Sequence, residues 1–297
     1  MRFSTRHIDT GPATIFVHCV GSGPPLLLLH GFPQTNLMWA SVAAQLADTY
    51  TVVCADLRGY GHSSCPPSDE DHLPYAKRAM ALDMVTVMAA LGHSRFGVAG
   101  HDRGGRVAYR MALDHPEVVT ALAVLDIIPT DDAWERADAE FATAYWPWSL
   151  LAQPSPLPER LITASPAAVI DAALDGWGSA RSAFDDATHA AYVDALSDGD
   201  HVHAICEEYR AAATVDRVHD QVDRDAGRRI AAPVLVLWSG AGPLGAWYER
   251  DGGPVGLWRR WADDVQGRAV AGGHFFPEEH PDDTAAALSG FFDAPSG

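Results

Sequence analysis

Short apolar runs alternate with amphipathic stretches along most of the chain. Seven runs have the continuously apolar or β-branched character that is typical of strands in a parallel sheet: Thr14–Val20, Pro25–His30, Tyr50–Ala55, Arg95–Gly100, Ala121–Asp126, Pro233–Trp238 and Arg268–Ala271. Helical patterns such as Met80–Leu91 and Gly105–Leu113 separate them. This alternation predicts an α/β fold with a mostly parallel, doubly wound sheet.

The alternation stops between about residues 130 and 226, where helical sequence rich in Trp, Ala and Pro replaces the strand signals. The segment starts after the strand that ends at Asp126 and finishes before the strand that begins at Pro233. We therefore expect a helical cap, residues 130–226, inserted between two strands of one core formed by residues 1–129 and 227–297.

Composition and charge exclude several classes of protein. The chain of 297 residues is 47% hydrophobic and 20% charged, which is ordinary for a folded domain. Its net charge of −18 disfavours nucleic acid and anionic membranes as partners. Four cysteines at irregular spacing are expected to be free thiols, and no signal layout or spanning segment is evident, so we expect a cytoplasmic protein.

The run that follows the fourth predicted strand carries the strongest chemical signal. Gly100-His101-Asp102-Arg103-Gly104 places an aspartate in a glycine-flanked turn between a strand and a helix, the setting of a nucleophile elbow. A carboxylate that attacks a saturated carbon forms an ordinary ester, so Asp102 predicts dehalogenation or epoxide opening. A turn with a capping aspartate is the alternative.

A histidine and a second carboxylate complete the predicted catalytic set. His274 lies in a glycine-flanked loop after the last predicted strand, where the base of such an enzyme follows in chain order. The acid that orients it could follow either of two strands, but residues 239–245 contain no carboxylate. That favours Asp126, for which a helix cap is the alternative role.

An oxyanion hole is expected opposite the elbow. The buried strand Pro25–His30 ends in a tight turn, His30-Gly31-Phe32-Pro33, and backbone N–H groups after such turns bind developing negative charge. The backbone N–H groups of Phe32 and Arg103 are the predicted pair. The run from Asp56 to Ser63 is interpreted as scaffold.

Six segments together resemble the haloacetate (fluoroacetate) dehalogenase family of α/β-hydrolases almost from end to end: HGFPQTNLMW, DLRGYGHS, GHDRGGRVAYR, LDIIPT, CEEYRAAAT and GGHFFPEEHP. The resemblance implies an α/β-hydrolase fold, a homodimer, and a clamp for the substrate carboxylate formed by Arg103 and Arg106. Residues 103 and 106 are one helical turn apart and can face one cavity. A salt-bridged or solvated helix face is the alternative for both.

The same resemblance implies a halide pocket in the cap, and here the chain departs from the pattern. Trp148 and Tyr209 match two of its residues, although packing is the usual role of cap aromatics. Pro147 replaces the family's histidine and offers no donor. We therefore expect weakened fluoride release and better activity on chloro- or bromoacetate, unless another donor such as Trp146 fills the gap.

The resulting hypothesis is a hydrolase that converts a small anionic 2-haloacid to glycolate and halide, without a metal or organic cofactor. An epoxide hydrolase is the enzymatic alternative, since Tyr145 and Tyr209 could protonate an epoxide, but the paired arginines favour an anion. A non-catalytic ligand-binding homologue is the alternative from another class. Halide release, diol formation and a trapped ester in a His274→Ala variant separate the three.

Overall fold

The computed structural model describes residues 3–293. Within this range, one sheet of eight strands has the order β1-β2-β4-β3-β5-β6-β7-β8. The strands are β1 Ser4–Asp9, β2 Thr14–Gly21, β3 Pro25–Leu29, β4 Thr51–Ala55, β5 Phe96–His101, β6 Val119–Leu125, β7 Val234–Ser239 and β8 Val265–Val270.

Strands β3 to β8 pair in parallel, whereas β1 and β2 are antiparallel to their neighbours. The mostly parallel sheet is confirmed, and all seven predicted strands exist within a few residues of their expected bounds. The edge strand β1 was not predicted. Its sequence, STRHID, is polar and mostly exposed, so it lacks the apolar run that identifies the buried strands.

Helices cover both faces of the sheet. The first part of the core contributes α1 Ala40–Leu46, α2 Lys77–Ala90 and α3 Asp102–Asp114. Residues 130–226, all of them described, contain no strand and hold eight helices: α4 Thr130–Glu135, α5 Ala139–Ala144, α6 Trp146–Leu151, α7 Leu157–Ala164, α8 Pro166–Leu174, α9 Asp186–Ala195, α10 Gly199–Ala213 and α11 Val215–Asp225. The domain boundaries of a cap stay a prediction.

The rest of the core follows with α12 Leu244–Trp247, α13 Gly253–Trp258, α14 Phe276–Glu279 and α15 Pro281–Phe292. Two apolar clusters form the core, one on each face of the sheet, because β3, β4, β5 and β6 are apolar on both sides. All four cysteines are free, as predicted. Within residues 3–293 no helix combines the length and hydrophobicity needed to cross a bilayer.

Topology explains why distant residues meet at one edge. Strands β5, β6, β7 and β8 are adjacent and parallel, so their carboxyl ends lie side by side. Asp102 follows β5, Asp126 follows β6 and His274 lies in the loop after β8. The carboxyl edge of a parallel sheet is where open α/β folds place their ligands.

Candidate active site

The turn between β5 and α3 presents Asp102 in a strained backbone conformation. Its φ is +46°, in the left-handed region that residues with a side chain rarely adopt. Glycines make this turn possible, because a Cβ at Gly100 would lie 2.4 Å from the carbonyl oxygen of Gly104. The backbone therefore has the geometry of a nucleophile elbow, as the sequence indicated.

The turn after β3 lies directly against this side chain. A Cβ at Gly31 would be 2.4 Å from the Cβ of Asp102 and 2.9 Å from the backbone nitrogen of Arg103. The Phe32 backbone N–H donates to Asp102 Oδ1 at 3.0 Å. The structure thus brings together the carboxylate and the two N–H groups that were predicted as an oxyanion hole.

His274 and Asp126 form a buried pair beside the elbow. The imidazole Nδ1 lies 2.6 Å from Asp126 Oδ2, so the proton on Nδ1 is donated to the carboxylate and Nε2 is free to act as a base. Asp126 itself has a φ of +53°. Its Oδ1 accepts a hydrogen bond of 2.8 Å from the Ser239 backbone N–H, so the last residue of β7 contributes a donor rather than the acid.

The charges in this cluster shift the pKa values of Asp102 and His274 in opposite directions. Burial alone would raise the pKa of Asp102, but the nearby charges of His274 and Arg103 outweigh burial and lower that pKa. Burial would lower the pKa of His274, but the hydrogen bond and charge of Asp126 outweigh it and raise that pKa. Asp102 is therefore a carboxylate at neutral pH and able to attack carbon.

A neighbouring histidine supports the loop that carries the base. Burial lowers the pKa of His101 to about 3, so its ring is neutral. Its Nε2 lies 2.8 Å from the His274 carbonyl oxygen, to which the neutral ring donates. Sequence reasoning did not assign His101 this part, since nothing in its spacing shows a contact with residue 274.

Arg103 is buried and already paired. Its Nε lies 2.8 Å from both carboxylate oxygens of Glu208, which also binds Lys77, the only lysine of the chain. This ion pair matches the salt-bridged alternative that the sequence left open for Arg103. However, Arg103 Nη1 is buried and makes no hydrogen bond within residues 3–293, so one donor is left for another group.

Arg106 has a different environment. It is 4% exposed, and its Nη1 donates to the Ile128 carbonyl at 3.0 Å and to Thr130 Oγ1 at 3.2 Å. Its Nε makes no hydrogen bond, and none of the described carboxylates lies within 4.0 Å of its guanidinium. Burial and the charge of Arg103 lower the pKa of Arg106. A buried cation without a counter-ion is costly unless an anion completes the site.

Two aromatic side chains from the helical segment 130–226 pack on these arginines. The Arg106 guanidinium carbon lies 4.4 Å from the ring centre of Trp148, and that of Arg103 lies 4.0 Å from the ring centre of Tyr209. These contacts are in the range of cation–π interactions. The two aromatics predicted for the halide pocket therefore also hold the predicted carboxylate clamp.

Two small cavities flank Asp102, and Tyr145 and Trp148 line both. One, of about 20 Å³, also has Arg106 and Asp126 in its walls. The other, of about 10 Å³, adds four more predicted residues and a new one: Phe32, Pro147, Tyr209, His274 and Trp177. Arg103 is in the described lining of neither cavity. Each has room for about one small group, since a single water needs about 10–15 Å³. The site therefore suits a substrate of a few atoms.

Two clefts larger than these cavities lie away from Asp102. These clefts, of about 260 Å³ each, lie at the amino-terminal edge of the sheet beside Pro24 and near the surface beside His18. Neither has Asp102, Asp126 or His274 in its lining. Among the described residues no group of three or more His, Cys, Asp or Glu side chains is arranged to hold a metal ion.

Comparison with known proteins gives relatives over almost the whole chain. Residues 24–281 match the family model of the alpha/beta hydrolase fold. A fluoroacetate dehalogenase from Burkholderia sp is 46% identical to this chain in an alignment that covers 99% of this chain and 96% of the dehalogenase. A soluble epoxide hydrolase from Corynebacterium sp. is 33% identical, over 88% and 87% of the two chains.

Solved structures show the same architecture. An alpha/beta hydrolase from Nostoc sp superposes with a TM-score of 0.95 at 47% identity, covering 99% of both chains. A candidate epoxide hydrolase from Pseudomonas aeruginosa gives a TM-score of 0.91 at 44% identity, covering 98% of this chain and 96% of its own. The α/β-hydrolase fold is confirmed, and an enzyme is favoured over a non-catalytic homologue. The chain belongs to the haloacetate (fluoroacetate) dehalogenase family of α/β-hydrolases, which are hydrolases that act on carbon–halide bonds.

Proposed function

We propose that this enzyme hydrolyses a small 2-haloacid, such as a haloacetate, to the 2-hydroxyacid and halide through an ester on Asp102. One observation carries the choice of an anionic substrate. Arg106 lies in the wall of the same cavity as Asp102, buried and without a carboxylate partner among the described residues. A substrate carboxylate would supply the missing charge and hold the α-carbon near the nucleophile.

The first step is a displacement at carbon. Arg106 Nε and Arg103 Nη1 are buried guanidinium donors without a partner among the described residues, and they bind the substrate carboxylate. A carboxylate oxygen of Asp102 forms a bond to the α-carbon, and the carbon–halogen bond breaks with its electron pair leaving on the halide. Trp148 and Tyr209 receive the halide in the smaller cavity.

The second step hydrolyses the ester. His274 removes a proton from water, which attacks the carbonyl carbon of the Asp102 ester. The backbone N–H groups of Phe32 and Arg103 stabilise the tetrahedral oxyanion. As the intermediate collapses, His274 returns the proton to the departing alkoxide, and the new Asp102 carboxyl group, which now carries an oxygen from water, ionises.

The leaving-group preference is the finer part of the proposal. Pro147 lines the halide cavity and supplies no hydrogen bond from its side chain or its nitrogen. Fluoride depends on donors more than chloride or bromide does because it is small and strongly hydrated. A missing donor is worth about 1–3 kcal/mol, so we expect fluoroacetate to react about ten- to a hundredfold more slowly than chloroacetate.

An epoxide hydrolase is the second candidate, because the cavity walls carry two cap tyrosines. Tyr145 and Tyr209 both line the smaller cavity beside Asp102, and two phenols could protonate an epoxide oxygen. The unpaired Arg106 argues against it, since an uncharged epoxide would leave that buried cation without a counter-ion.

A halide-release panel tests the proposal. Purified enzyme is assayed with fluoro-, chloro- and bromoacetate and with a terminal epoxide, and an Asp102→Ala variant is the matched control. We expect halide and glycolate in equal amounts, no diol, and no product from the variant. Diol formation without halide release would establish the second candidate and overturn the first.

We also propose that the enzyme is a cytoplasmic homodimer. Four free thiols support a reducing compartment such as the cytoplasm. The family resemblance supports a homodimer, and the net charge of −18 supports the expectation that neither nucleic acid nor membrane is a partner. Light scattering after gel filtration would give the mass of the assembly directly.

A further inference from the structure

Pro147 has two neighbours that are not among the three halide-pocket residues implied by the resemblance, Tyr145 and Trp146. Trp146, the substitute donor suggested by the sequence, is not among the described residues that line either cavity beside Asp102. Tyr145 lines both. Of these two neighbours of Pro147 in the sequence, the cavity wall therefore includes Tyr145 and not Trp146.

The hydroxyl of Tyr145 is buried and makes no hydrogen bond within residues 3–293. Buried hydroxyl groups in proteins almost always have a partner, so an unpartnered one in a cavity wall points to a ligand that accepts from it. Burial also raises the pKa of Tyr145 well above its ordinary value, with the charges of Asp126 and Asp102 adding to the effect. The phenol stays protonated and able to donate at any working pH.

The Tyr145 ring is held firmly in place. It stacks on Trp177 with ring centres 5.5 Å apart and an angle of 15°, and it meets the His274 ring edge-on at 6.3 Å. Its backbone N–H donates to the Phe141 carbonyl at 2.8 Å, where α5 ends and α6 begins. A donor fixed in this way needs no rearrangement during the reaction.

We propose that the Tyr145 hydroxyl donates a hydrogen bond to the departing halide and thereby determines how much fluoride activity the enzyme keeps. This rests on the proposed dehalogenation and deepens it. When the bond between carbon and halogen breaks, the electron pair leaves on the halide, and Tyr145 shares its proton in a hydrogen bond without transferring it. The donor stands in for the imidazole that Pro147 replaces.

Leaving-group dependence distinguishes this role from packing. A Tyr145→Phe variant keeps the ring and its stacking on Trp177 and removes only the hydroxyl. A packing defect would lower kcat/KM for every haloacetate by the same factor. A lost donor to the halide lowers it most for fluoride and least for bromide, because fluoride is the strongest hydrogen-bond acceptor of the three.

The test compares kcat/KM of the wild type and Tyr145→Phe on fluoro-, chloro- and bromoacetate. We expect a loss of about tenfold or more on fluoroacetate and less than about threefold on bromoacetate. Should the wild type release no fluoride, the larger loss must appear on chloroacetate relative to bromoacetate. Tyr50→Phe is the matched control, since the Tyr50 hydroxyl bonds Asp293 away from the site and its loss leaves the ratios unchanged.

Two results would overturn the proposal, and they have different consequences for the proposed dehalogenase activity. Equal losses on all three substrates, or none, with an active wild type would refute the role of Tyr145 and leave the dehalogenase intact. No halide from any haloacetate with the wild type would refute both. The ratio between substrates within one variant also cancels differences in the amount of folded protein.

Discussion

An Arg106→Met variant tests whether the buried charge of Arg106 serves substrate binding rather than the stability of the fold. In the free enzyme this guanidinium has two neutral acceptors, the Ile128 carbonyl and Thr130 Oγ1, and none of the described carboxylates pairs with it. Arg103, one turn earlier on α3, is equally buried but is paired with Glu208. The two arginines therefore form a matched comparison.

The stability effects are expected to differ. The methionine at position 106 loses hydrogen bonds worth about 1 kcal/mol each and relieves the desolvation of an unpaired cation, a term of several kcal/mol in the opposite direction. We expect the free energy of unfolding to stay within about 2 kcal/mol of wild type or to rise. Arg103→Met instead removes one of the two cations that pair with buried Glu208, which keeps Lys77, and is expected to cost about 3 kcal/mol.

In contrast to stability, activity toward chloroacetate is expected to fall in both arginine variants. Losing a charge-assisted hydrogen bond to the substrate carboxylate is worth about 1.5–3 kcal/mol, so kcat/KM for chloroacetate should fall about ten- to two-hundredfold in Arg106→Met. Urea unfolding gives the stabilities, and chloride release gives kcat/KM. An Arg106→Met enzyme that is destabilised as much as Arg103→Met, with kcat/KM within twofold of wild type, would refute the assignment.

Three further predictions address other parts of the site. Asp126→Asn should lower the raised pKa of His274, so the acid limb of the kcat profile, where His274 becomes protonated, moves to lower pH while the maximal rate falls by orders of magnitude. Burial raises the pKa of Glu278, whose carboxyl group accepts a hydrogen bond from Tyr192, from 4.5 to about 7. The contribution of Glu278 to the free energy of unfolding is therefore complete below pH 4.5 and is lost as the pH rises through 7. Urea unfolding should show that Glu278→Gln is more stable than wild type by at most about 3 kcal/mol at pH 8 and differs little from it at pH 4.5. Pro147→His should raise the fluoroacetate-to-chloroacetate ratio of kcat/KM about tenfold, and an unchanged ratio would contradict the reading of the halide cavity.

Much of the fold could be predicted because its information is local. Continuous apolar runs identify buried parallel strands, and the glycines around Asp102 and His274 identify tight turns. Chain order then brings Asp102, Asp126 and His274 to one edge of the sheet, where the structure places them within one cluster. Strand β1, Ser4–Asp9, was not predicted because an exposed edge strand needs no apolar pattern.

What could not be predicted depends on contacts between distant segments. Glu208 on α10 pairs with Arg103 on α3 and with Lys77 on α2, and no spacing in the sequence indicates that these three meet. The same holds for Tyr145, whose hydroxyl is significant only because nothing described bonds to it. Periodicity places each of these residues on an element, whereas packing of the cap on the core decides what each one touches.

The most direct test of the account follows the oxygen atom in a single turnover. Enzyme in excess over chloroacetate is allowed to react once in oxygen-18 water, and the glycolate and the peptide containing Asp102 are analysed by mass spectrometry. The ester mechanism predicts unlabelled glycolate and one labelled oxygen in the Asp102 carboxylate, because the product takes its oxygen from the side chain and water replaces it. Labelled glycolate with an unlabelled Asp102 would show direct attack by water and contradict the ester mechanism.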